Sequence, residues 1–218
     1  MDFIHDFSGL ASLALGADQV LFNTRMQFRA LPPDLQEMEV TRPEILGNIL
    51  LLDSPPILPR LTLMFIDQSG WDEVDRYLGD DRVRSQLRSL TLIDCSALPV
   101  LQSPAALRHL TIAKPFLLMP SHLYTALITL SGTSSARLLE TITLRGTREH
   151  RAEYGYPASM NGVGCPDVDA LLADANLWPL LRAVILRCDH ENAEHEVALM
   201  RSSLPLADAR GLVVVQYP

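Results

Sequence analysis

The sequence predicts an α/β solenoid, with short parallel strands lining one face and helices covering the other. Three observations predict it. A six-residue phrase, Leu-x-x-apolar-x-apolar, recurs along the chain. The segments between copies carry helical spacing of apolar residues. The fifth position of the phrase, between the last two apolar residues, is polar in most copies. A phrase repeated every few tens of residues is the mark of a repeat architecture, whose units bury a continuous core only by stacking.

The clear copies are Leu58-Pro-Arg-Leu61-Thr-Leu63, Leu87-Arg-Ser-Leu90-Thr-Leu92, Leu107-Arg-His-Leu110-Thr-Ile112, Leu139-Glu-Thr-Ile142-Thr-Leu144 and Leu181-Arg-Ala-Val184-Ile-Leu186. A weaker copy, Leu35-Gln-Glu-Met38-Glu-Val40, precedes them, and Ala209-Arg-Gly-Leu212-Val-Val214 follows. Each reads as a short strand. Side chains alternate along a strand, so the fourth and sixth positions enter the core while the third, fifth and seventh face the other way.

Helices are expected between the strands. Ser121 to Leu130 places Leu123, Ala126, Leu127 and Leu130 at i, i+3, i+4 and i+7 after a Pro-Ser start. Asp167 to Leu177 repeats that spacing after Pro166. Asp72 to Leu87 is interrupted by Gly79-Asp80-Asp81, read as a solvated turn, and Asn192 to Ser203 is a further helical segment. Trp71 and Trp178, at segment boundaries, are expected in the core. Residues 1–34 are assigned to an N-terminal cap, in which Phe3, Leu10, Leu13 and Leu15 cover the end of the core. Residues 35–218 form the repeat domain, with a polar, Gly-rich insertion at 146–166.

Alternating strands and helices also suit a doubly wound α/β enzyme. Strands there are covered on both faces and read as continuous apolar runs. Here Glu39, Thr62, Thr91, Thr111 and Thr143 occupy the fifth position, and only Ile185 and Val213 break the pattern. No Gly-rich phosphate loop follows any strand.

A net charge of −8 disfavours phosphate backbones and anionic lipid, so neither nucleic acid nor membrane is an expected partner. Cys95, Cys165 and Cys188 are too few and too irregularly spaced for a disulfide framework or a zinc finger, which points to the cytoplasm or nucleus.

Leu87-Arg-Ser-Leu-Thr-Leu-Ile-Asp-Cys95 and Leu107-Arg-His-Leu-Thr-Ile112 resemble leucine-rich repeats of the cysteine-containing kind, in which Cys or Asn sits at the ninth position. The C-terminal stretches Val168 to Asp174, Trp178 to Leu186 and Leu204 to Val213 are similar to the ends of fungal F-box and leucine-rich-repeat-like proteins. The resemblance covers residues 35–218. It implies an irregular leucine-rich-repeat horseshoe with a concave parallel sheet and convex helices. It also implies a role in protein recognition, extending to substrate recognition in an F-box-type ubiquitin ligase and contact with that ligase's adaptor subunit. The docking helix of an F-box should precede the repeats. Arg42-Pro-Glu-Ile-Leu-Gly-Asn-Ile-Leu50 is the segment most like one, but it lies between two repeat strands and is read as a convex-side helix.

No constellation argues for catalysis, and no cofactor or metal is expected. His190 and His195, with Cys188 nearby, form the best metal candidate, and the rival reading is an α/β enzyme or metal-binding protein with a site at 188–195. The two His are five apart, which does not stack them on one helical face. The expected function is protein binding on the open sheet face. The residues assigned to it are Arg60, Thr62, Met64, Thr91, Ile93, His109, Thr111, Thr143, Arg145 and Arg187. In that assignment Thr supplies a flat polar ladder, Met64 and Ile93 apolar contact, and Arg145 and Arg187 carboxylate pairing.

Overall fold

A computed structural model describes residues 10–15, 31–32, 34–52, 58–95, 106–113, 120–145, 166–187, 198 and 201–216. Among these, eight strands form one parallel sheet whose spatial order is the order of the chain: β1 (Ser12–Leu15), β2 (Glu37–Val40), β3 (Arg60–Met64), β4 (Ser89–Ile93), β5 (His109–Ala113), β6 (Thr141–Arg145), β7 (Ala183–Arg187) and β8 (Val213–Gln216). A doubly wound sheet reverses its strand order at a switch point. This order runs from one edge to the other without reversal.

The phrase explains the strands. Its fourth and sixth positions lie side by side across the sheet, as in Leu61–Leu90–Leu110–Ile142–Val184 and Leu63–Leu92–Ile112–Leu144–Leu186. All ten side chains are buried. The first position is buried as well in Leu35, Leu58, Leu87, Leu107, Leu139 and Leu181. Each strand therefore adds a layer of Leu, Ile and Val to one continuous core.

Helices close the core on that side. Helix α1 (Glu44–Leu50) buries Ile45, Leu46 and Ile49, so the segment resembling an F-box start is a packed helix. Helix α2 (Trp71–Gly79) buries Trp71, Val74, Tyr77 and Leu78. It stops at Gly79, and Asp80 then caps α3 (Asp81–Arg84) by accepting the Arg82 N–H at 2.9 Å. The break between the two helices falls at Gly79-Asp80-Asp81, the turn expected to interrupt this segment. Helix α4 (Pro120–Ser131) turns Leu123, Ala126, Leu127 and Leu130 inward, as their spacing predicts. Helix α5 (Pro166–Leu172) buries Val168, Asp169, Leu171 and Leu172. A turn of helix at 201–203 precedes α6 (Pro205–Ala209). Trp178 is fully buried and its indole Nε1–H donates to the Leu171 carbonyl at 2.9 Å.

Two sequence assignments change. Residues 10–15 belong to the repeat: Leu10-Ala-Ser-Leu13-Ala-Leu15 matches the phrase, and Leu13 and Leu15 pair with Met38 and Val40. The N-terminal segment thus contributes strand β1 to the sheet. At the other edge the last copy shifts by one residue. Val213 aligns with Val184 and Val214 with Ile185. Val213 is therefore the core residue at the fourth position, and Val214 takes the fifth. The insertion at 146–166 lies outside the described residues except for Pro166, which opens α5.

Candidate functional site

All ten assigned residues lie on the sheet face opposite the core, since they occupy the third, fifth and seventh positions of β3 to β7. Arg60 and His109 are exposed and the other eight half-buried. They form rows. The fifth-position row runs Glu39, Thr62, Thr91, Thr111, Thr143, Ile185 in strict register from β2 to β7. Four neighbouring Thr, all half-buried, stand side by side along the row, an arrangement β-branched residues favour on a pleated surface.

The third-position row is polar throughout its middle. Arg60 Nε lies 3.5 Å from Glu37 Oε2, its register partner on β2. On the neighbouring strands His109 Nδ1 is 2.9 Å from Thr141 Oγ1. An imidazole touching a hydroxyl is the first half of a nucleophile–base pair. Among the described residues no carboxylate holds the other ring nitrogen as an orienting third group would.

The seventh-position row divides in two. Met64 and Ile93 are neighbours on β3 and β4, and Arg145 and Arg187 are neighbours on β6 and β7. Ala113 separates them and is buried, so the apolar pair and the guanidinium pair form two patches. The structure therefore brings Met64 with Ile93 and Arg145 with Arg187, but does not merge them into one anchor.

Just beyond the strands the chain makes the same bend twice. Phe65 (φ 57°) and Asp94 (φ 53°), both at the eighth position, adopt the left-handed conformation. Their N–H groups continue the ladder to Ile93 O at 2.9 Å and Ala113 O at 3.4 Å. The ninth positions follow inward: Ile66 is buried, and Cys95 Sγ lies 3.5 Å from Ile93 O and 3.8 Å from Leu63 O. Burial pushes the Cys95 thiol up to about 11, so it stays protonated near neutral pH.

Sequence reasoning left out the acidic end of the face. Glu37 and Glu39 occupy the third and fifth positions of β2 and extend the two polar rows. The signal was their position in the weaker copy. Among the described residues no group of three or more His, Cys, Asp and Glu side chains is arranged to hold a metal, and no helix is long and apolar enough to cross a membrane. The metal candidate around Cys188, His190 and His195 lies outside the described residues. No family model, curated protein or solved structure matches the chain.

Proposed function

We propose that the chain is an irregular leucine-rich-repeat horseshoe that binds a protein partner on the open face of its sheet. The observation that carries this reading is the in-register row Thr62–Thr91–Thr111–Thr143, half-buried and flanked by charged side chains. A regular array of hydroxyls on a broad sheet suits recognition of another surface better than enclosure of a small molecule. Sequential strand order supports the solenoid. Cys95, a largely buried free thiol, supports a reducing compartment, cytoplasmic or nuclear. For a ligase role, α1 offers few contacts: Ile45, Leu46 and Ile49 are committed to the core, and its apolar surface is Leu50 and the exposed Leu51 at its C-terminal end.

The test is affinity capture with the full chain and with the double variant Thr91→Lys, Thr111→Lys. Circular dichroism is expected to stay unchanged, because both side chains are half-exposed. Proteins captured by the wild type and lost by the variant support the reading. An identical set from both would overturn it. If the ligase adaptor subunit is among the captured proteins, the F-box-type role returns.

A further inference from the structure

The open face is electrically polarised along the sheet, and this polarity gives its partner a chemical description. At one end β2 carries Glu37 and Glu39. At the other, β6 and β7 carry Arg145 and Arg187 as register neighbours. Between them lies the Thr row. The sign of charge thus changes across the strands, and a ligand that reads it must cross them.

Each end has a reason to take an opposite charge. Adjacent like charges on neighbouring strands repel, and register partners stand only about 5 Å apart. A carboxylate beside Arg187 eases that repulsion and accepts charge-assisted hydrogen bonds from its guanidinium group. Arg145 has a further interaction of its own, so Arg187 is the better placed of the two. On β2 Glu37 is engaged by Arg60, whereas Glu39 forms no ion pair among the described residues. The anchors are therefore Glu39 and Arg187. They sit five strands apart, which at roughly 4.8 Å per strand is about 24 Å, the reach of about seven residues of extended chain.

We propose that the face binds an extended peptide segment running across the strands, with a basic residue at Glu39 and an acidic residue about seven positions away at Arg187. The Thr hydroxyls in between are donors and acceptors for the ligand's backbone. The proposal rests on the reading of this face as a protein-binding surface and specifies what it binds.

The probe is a fluorescein-labelled synthetic peptide with two Lys at one end, two Asp at the other and six alternating Ser and Ala between. Its control has the same composition with Lys and Asp alternating. Fluorescence anisotropy with the full chain is expected to show the polarised peptide binding about tenfold or more tightly than the control. Glu39→Arg and Arg187→Glu are each expected to weaken it about tenfold. The double charge swap is expected to recover binding, because the peptide then lies in the opposite direction. Glu39→Gln and Arg187→Gln repeat the single tests with little risk to folding. Equal binding of the two peptides, or wild-type affinity in both single variants, would overturn the proposal. If the Thr91→Lys, Thr111→Lys chain still loses captured proteins in that case, the protein-binding reading survives and only the polarity inference falls.

Discussion

Asp169 caps a helix that begins more than thirty residues after it. Its carboxylate oxygens accept the backbone N–H groups of Leu206 at 2.8 Å and Ala207 at 2.9 Å, in the first turn of α6. Leu204, at the cap position of that helix, has no side-chain acceptor to offer. The remote Asp supplies what the local sequence lacks and ties α5 to α6. Asp169 is almost wholly buried, and two strong donors justify the placement of its charge.

Removing that acceptor leaves two amides without a partner. Asp169→Ala is expected to destabilise the chain by about 3 kcal/mol, within the range for buried charge-assisted hydrogen bonds and lost caps. Asp169→Asn keeps one acceptor oxygen but turns an NH2 group toward the other amide, and should cost about 1–2 kcal/mol. Urea unfolding followed by circular dichroism measures both. A loss under about 0.5 kcal/mol for the Ala variant would mean that the contact does not hold α6.

Cys95 makes a prediction about pH. Its thiol is raised from 9.0 to about 11, chiefly by burial. The fold therefore favours the protonated form over the unfolded chain. Whatever stability this contributes is fully present below the unfolded value near 9 and is lost as pH rises toward 11. In a chain carrying Cys165→Ser and Cys188→Ser, a thiol-reactive disulfide reagent at pH 8 should label Cys95 far more slowly in the native state than in urea. Replacing Cys95 with Ala should flatten part of the stability decline above pH 9. Rapid native labelling would show the sulfur to be open to solvent.

The paired bends after β3 and β4 differ in their tolerance of the left-handed conformation. Asp at position 94 adopts it readily, whereas a bulky residue such as Phe65 does so at a cost of about 1–2 kcal/mol. The Phe65 side chain is 60% exposed, so little packing offsets that strain. Phe65→Asn is expected to leave stability within about 0.5 kcal/mol or to raise it, and Phe65→Ile to lower it by about 1–2 kcal/mol. Thermal unfolding of the two variants tests the order, and an Ile variant as stable as the Asn variant would refute it.

What could be read from the chain depended on how a position was marked. The Thr at 62, 91, 111 and 143 mark the fifth position unambiguously, so the register of β3 to β6 and the open face were legible together. Strand β1 has Ala14 where those strands have Thr, and its phrase was hidden although Leu10, Leu13 and Leu15 fit it. The Asp80 cap was visible only as a turn, because two helices joined by one capping residue share a single apolar stripe. The division of the candidate site into an apolar and a basic patch followed from Ala113, a small residue whose burial no pattern announced. The copy on β2 was legible, Glu39 at its fifth position included, but not that Glu37 and Glu39 form an acidic end of the face.

The last strand shows how register fails to be legible and offers the sharpest check of the sheet. Leu212, Val213, Val214 and Val215 form an unbroken apolar run, so no polar residue marks which of them faces outward. Gly211, at φ 71°, ends the preceding turn and lets the chain enter β8 one residue later than the phrase suggests. A one-residue shift exchanges the two faces of a strand. With Val213 paired to Val184, the core side chain is Val213, only 5% exposed, while Val214 is 39% exposed. Thr has nearly the shape of Val but carries a hydroxyl that must find a hydrogen bond when buried. Val213→Thr is therefore expected to cost about 1–2 kcal/mol, and Val214→Thr, on the open face beside Ile185, under about 0.5 kcal/mol. Urea midpoints of the two variants decide between the alignments, and the reverse order would place Val214 in the core instead of Val213.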